Sequence, residues 1–196
     1  MKFVLRYNWL FLFFITTQSI YAQQIKSSYN WLSHSSHIAE FESLIEKSKQ
    51  LALNPKEYSL DFVHSIQVQN QKDTNRIDSL VQQVAIHFFS DLHYGNRSPN
   101  IDYQGVTIKK DKNTISKDIL SYLNQKGLQA LVEDIIGSSK EVSVLLKEYN
   151  TLNDLLKKDY KKQSILFQSI NNYRWLHTLR QQQSVIVVNI PSASLH

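Results

Sequence analysis

The sequence predicts a mainly α protein, a bundle-like helical domain that ends in a short β-strand or hairpin remnant. Three observations carry this expectation. Apolar residues recur every three or four positions along most of the chain, the spacing that lines one face of a helix. Only four glycines and three prolines punctuate the 196 residues. The strongest β-like run, Val185-Ile186-Val187-Val188-Asn189-Ile190-Pro191, comes last. A lone strand leaves its backbone donors and acceptors unpaired, so residues 184–196 are expected to be the truncated start of a β-rich domain.

The first residues have the pattern of a targeting segment. Lys2 and Arg6 form a positive start, and Trp9 to Ile15 is an unbroken apolar run followed by small and polar residues up to Ala22. That run is too short for a span, which needs ~20 apolar residues, and fits the core of a secretory signal. Residues 1–22 are therefore expected to be a cleaved signal peptide, leaving an exported, periplasmic or envelope protein with no stable membrane span. Cleavage would remove two basic residues, leaving 20 basic against 17 acidic and a net charge of +3. So small and dispersed a charge argues against nucleic acid as a partner. With no cysteine in the chain, an exported domain has no disulfides and depends on packing alone.

Residues 23–37 are polar and rich in Ser and His, and are expected to be a flexible arm; 38–178 is the expected helical domain. Its first helix carries Ile38, Phe41, Leu44, Ile45 and Leu51-Ala52 and stops at Asn54-Pro55, because a residue before proline avoids the α region. A second helix is expected over Leu60 to Val68, with Phe62, Val63 and Ile66 inward. The clearest amphipathic pattern follows, in Ile77, Leu80, Val81, Val84, Phe88 and Leu92, with Asp73 or Thr74 as its cap. Tyr94-Gly95-Asn96 ends it, glycine supplying a left-handed terminal residue. Residues 99–113 look irregular, with Val106 to Ile108 as an extended piece.

Ser116 is the expected cap of a short helix carrying Ile119, Leu120 and Leu123 and closed by Gly127; another spans Leu128 to Ile136 and is closed by Gly137. Ser138-Ser139-Lys140-Glu141 has the form of a capping box. It opens a helix whose Val142, Leu145, Tyr149, Leu152 and Leu156 fit burial in a bundle better than a coiled-coil seam. Lys157 to Lys162 is a charge run, expected as a solvated turn, with a basic patch for anionic wall polymers as the sharper reading. The last helix is expected from Ser164 to about Leu176, packing Ile165, Leu166, Ile170, Tyr173 and Leu176.

Chemistry is sparse. His34 and His37 share helical spacing, but no carboxylate lies at ligand distance until Glu40, so no metal site is expected there. His87, Asp91 and His93 are the strongest cluster for an unrelated enzyme, though a surface or capping role fits them better. No nucleophile elbow, phosphate-cradling loop or zinc motif is present. Catalytic residues, cofactors and metals are all expected to be absent.

Two stretches carry more than periodicity. One runs from Arg76-Ile77-Asp78-Ser79-Leu80 through Asp91-Leu92-His93-Tyr94-Gly95-Asn96. The other is Ile170-Asn171-Asn172-Tyr173-Arg174-Trp175-Leu176, a short polar gap, then Val185 to Leu195 with Asn189-Ile190-Pro191 at its centre. In this order, behind a signal peptide, they resemble the N-terminal helical scaffold region of the large exported L,D-transpeptidases with a YkuD-type catalytic domain. Asn54-Pro55-Lys56-Glu57-Tyr58 is similar to an early segment of that family. The resemblance implies a role in peptidoglycan cross-linking, in which a cysteine thiolate attacks a tetrapeptide stem, releases its terminal D-alanine and passes the acyl group to another stem's amine. The family's Ser-His-Gly-Cys type motif has no counterpart here, so the chain alone is expected to be inactive, as part of a truncated or split enzyme. The alternative is a stand-alone module that binds peptidoglycan or a cell-wall synthesis protein. Tyr94, Gly95, Tyr173, Arg174, Trp175, Leu176, Asn189, Ile190 and Pro191 are the family-motif residues, in structural roles.

Overall fold

A computed structural model describes residues 29–96, 108–154 and 159–184, together with the backbone of 188–189 and 194–195. The expected signal peptide, Val106-Thr107, Leu156, Lys157-Lys158 and Ile190-Pro191 lie outside the described residues. The architecture is mainly α. Its helices are α1 (Ser35–Glu46), α2 (Asp61–Ser65), α3 (Gln71–Tyr94), α4 (Lys112–Gln125), α5 (Leu128–Gly137), α6 (Lys140–Asp154) and α7 (Tyr160–Gln182). Short 3-10 turns cover Trp31–Ser33, Lys47–Leu51 and Pro55–Glu57. The backbone of Val188–Asn189 pairs antiparallel with that of Ser194–Leu195, Val188 opposite Leu195.

Helix α3 is the axis of the fold and packs on α4, α5 and α7. Ile77, Val81, Phe88 and Leu92 are buried as their spacing predicts, and Phe89 joins them. Phe41 of α1 stacks on Phe89 and meets Phe88 edge-on, at centroid separations of 6.3 and 5.6 Å. Each such buried side chain contributes about 1.5–3 kcal/mol over its exposed state. A second cluster joins α6 to α7 through Val142, Leu146, Tyr149, Leu166 and Ile170, with Ala52 between them.

The N-terminal arm is where the expectation departs furthest from the fold. Tyr29 and Trp31, expected as part of the loose stretch, are buried, and α1 already begins at Ser35. Trp31 is fully buried, and its indole N–H donates to Gln82 Oε1 at 2.8 Å. The Leu32 amide donates to Asp78 Oδ1 at 2.9 Å. Two aromatics thus anchor a segment whose average composition is polar.

Several helix ends also differ. α2 is shorter than Leu60–Val68, because Ile66 takes an extended conformation (φ −90°, ψ 119°). α3 starts a turn before the expected cap. Asn70 Oδ1 accepts from the amides of Lys72 and Asp73 at 2.9 and 3.1 Å, and Asp73 Oδ2 reaches back to the Gln69 amide. Asp111, rather than Ser116, caps α4 by accepting from the Asn113 and Thr114 amides. Ser139, not Ser138, caps α6, accepting from the Val142 amide at 3.4 Å. The charge run supplies the first turn of α7, where Asp159 accepts from the Lys162 amide at 2.9 Å. Lys162 also pairs with Glu148 across to α6 at 2.8 Å. On α7 the buried face is Leu166, Ile170, Asn171, Arg174, Trp175, Thr178 and Leu179, whereas Ile165 and Tyr173 are exposed.

Candidate functional site

Asp91, Asn171 and Arg174, three of the buried polar residues, meet where α3, α7 and the 3-10 turns at 47–51 and 55–57 come together. Helix α1 passes into the first of these turns, and Ala52 ends it in a left-handed conformation (φ 51°). That bend points the Leu51 and Ala52 carbonyls inward, where a buried carbonyl needs a donor. Helix α7 provides both. Arg174 donates to the Leu51 oxygen at 2.6 Å, and the Asn171 side-chain amide donates to the Ala52 oxygen at 3.4 Å. Asn171 Oδ1 in turn accepts from Arg174 and from the Asn96 amide, both at 3.3 Å.

Gly95 completes the junction. It ends α3 at φ 80°, and a Cβ placed there would stand 2.6 Å from the Asn171 carbonyl oxygen. The backbones of α3 and α7 therefore touch at the two stretches that carry the sequence resemblance.

Next to them lies a hydrogen-bonded triplet. The Tyr58 hydroxyl donates to Asp91 Oδ2 at 2.9 Å, and His87 Nε2 lies 3.1 Å from the same oxygen. Burial raises the Asp91 carboxyl above the ordinary carboxylate value, opposed by the Tyr58 hydrogen bond and the His87 charge. Burial likewise raises the Tyr58 phenol far above its usual value, with Asp91 adding to the effect. Arg174 is brought down to about 10 by burial, against the pull of Tyr58 and Asp91. It stays protonated at neutral pH, a buried cation within electrostatic reach of Tyr58 and Asp91, with its Nε unpartnered among the described residues. Such an arrangement fixes geometry more than it adds net stability.

His93 does not join His87 and Asp91. It lines a cleft of about 180 Å³ with Phe89, Ile115, Leu131 and Ile135 below and Asp118 and Asp134 at its edge. Burial lowers the His93 imidazole, and His177 lowers it further. Asp134 is held by the Tyr122 hydroxyl. The cluster expected from sequence is thus divided between two places.

The other sequence-marked residues fall in structural positions. Tyr94 is buried, and its hydroxyl accepts from the Asp111 amide at 3.1 Å. Trp175 is buried, Leu176 half-buried and Tyr173 exposed. Asn189 lies on a two-residue strand. His34 and His37 stack on each other with centroids 5.4 Å apart, beneath Tyr29. Glu57, Tyr58 and Asn171 lie in the segments that carry the resemblance, and the turn start at Asn54-Pro55 is the sequence signal for the first two.

The protein family described as Scaffold domain matches residues 16–141, and the chain belongs to that family. The match covers α1 to α5 and ends at the second residue of α6, so Asn171 and Arg174 lie beyond it. No curated protein and no solved structure matches the chain. Among the described residues, no helix is long and apolar enough to cross a membrane.

Proposed function

We propose that this chain is the scaffold-type domain of an exported peptidoglycan cross-linking system of the L,D-transpeptidase kind, and that it is inactive alone. The observation that carries the reading is the contact of Gly95 with Asn171, backed by Arg174. It draws the two resemblance-bearing stretches into one rigid junction. Membership of the Scaffold domain family supports the coarser part. The reaction needs an activated thiol to attack the donor stem, and the chain has no cysteine. Its role is mechanical: α7, clamped at residues 171 and 174, directs the backbone that leaves residue 182 toward a catalytic domain. Residues 1–22 take it across the membrane, and its place of work is the envelope.

The test is reconstitution. A YkuD-type catalytic domain encoded in the same genome is produced separately, then assayed on tetrapeptide-rich sacculi with and without this chain. A co-eluting complex and a rise in 3→3 cross-links of at least tenfold are expected. Free catalytic domain with unchanged activity would refute the scaffold reading. Sedimentation of the chain alone with washed sacculi would assign it to peptidoglycan binding instead.

A further inference from the structure

We infer that Glu57, His87 and Asp91 form a binding site for a first-row divalent cation of the zinc type. Their ligating atoms all lie within 4.8 Å of one another. His87 Nε2 and Asp91 Oδ2 are 3.1 Å apart. Zinc bonds to nitrogen and oxygen of about 2.0–2.2 Å place neighbouring tetrahedral ligands roughly 3.4 Å apart. Small side-chain rotations of Glu57 therefore close the set. One imidazole and two carboxylates suit zinc or its neighbours, whereas magnesium prefers oxygen alone.

Two independent features support a cation here. First, each carboxylate is already oriented by a neighbour. Asn54 Nδ2 donates to Glu57 Oε1 at 3.0 Å, and Tyr58 donates to Asp91 Oδ2 at 2.9 Å. Outer hydrogen bonds of this kind hold metal ligands in place. Second, Glu57 has no cationic partner among the described residues, and its charge acts on both Asp91 and Tyr58. A divalent ion between the carboxylates removes that repulsion. The outer side is open, since the His87 side chain is 53% exposed and Glu57 is exposed, leaving room for water ligands. The ion would join the 3-10 turn at Pro55–Glu57 to α3. This inference does not depend on the cell-wall reading.

The experiment titrates zinc chloride into the tag-free chain by calorimetry, with chelator reversal and magnesium chloride as the control. One saturable zinc site per chain is expected, with no magnesium response. At hundredfold excess over Kd, Tm should rise by about 5–10 °C. Glu57→Gln and His87→Ala, both at exposed positions, should each weaken binding at least tenfold while the apo chain still unfolds cooperatively. A double His34→Ala, His37→Ala variant should bind as the parent does. Absence of saturable zinc binding overturns the proposal. So does a Glu57→Gln or His87→Ala variant that binds as tightly as the parent, or loss of binding in the His34, His37 variant.

Discussion

Gly95 and Asn171 are in backbone contact, close enough that a Cβ on residue 95 would sit 2.6 Å from the Asn171 carbonyl oxygen. A backbone atom cannot rotate away, and φ 80° with ψ 143° belongs to a region that side chains avoid. Gly95→Ala should therefore cost about 3 kcal/mol or more, since strain and clash combine. Gly127 is the natural control: its φ is 83°, but its nearest neighbour is the Glu40 carboxylate, the end of a flexible side chain. Gly127→Ala should cost about 1–2 kcal/mol. Urea midpoints at unchanged slope would read both. Equal losses at the two sites would contradict the close helix contact.

Trp31 makes the N-terminal segment part of the core. Trp31→Ala should destabilise the protein by about 3–5 kcal/mol, the usual cost of removing a large buried aromatic. It also leaves Gln82 Oε1 without its indole donor. Thermal unfolding of this variant, and of a deletion through residue 34, should show comparable losses. A deletion with parental Tm would restore the loose-arm expectation.

Acid sensitivity should trace to His93. Its folded value lies below the ordinary one, so the unfolded chain takes up the proton first as pH falls. The stability it leaves intact above about pH 6.5 is lost as acidification continues below that. His93→Gln should reduce the fall in Tm between about pH 7.5 and about pH 5. Asp118 works in the other sense: burial raises its value, so stability declines as pH rises through the window from the unfolded carboxylate value to the raised one. Asp118→Asn should raise Tm at neutral pH and leave the His93 limb in place. A His93→Gln profile parallel to the parent's would exclude His93 as the cause.

Periodicity made α3, α5 and the inner face of α6 legible, because an unbroken three-and-four spacing reports burial directly. It located Gly95 as a stop for the right reason. The caps of α3 and α4 lie earlier in the chain than the sequence alone suggests. Asn70 and Asp111 stand in polar surroundings where several side chains could accept, and only the amide geometry chooses among them. The packing of Trp31 and Leu32 is hidden because their partners, Gln82 and Asp78, are 51 and 46 positions away. The buried face of α7 carries Asn171, Arg174 and Thr178, polar residues that an apolar pattern scores as outside. The same weakness concealed the Tyr58–Asp91–Arg174 grouping, whose members are far apart in sequence and meet only once the helices pack. The pairing of His87 with Asp91 was within reach of helical spacing, while the separation of His93 from them required the fold.

Arg174 and the Leu51 carbonyl it satisfies are 123 positions apart. At synthesis rates of ~5–20 residues per second, roughly 6–25 s pass between the emergence of one and of the other. During that interval the turn after α1 has no donor from α7, and the junction at Gly95 has no partner to close on. The lock therefore closes only once α7 has emerged, and until then the segments that it joins stay free to move apart.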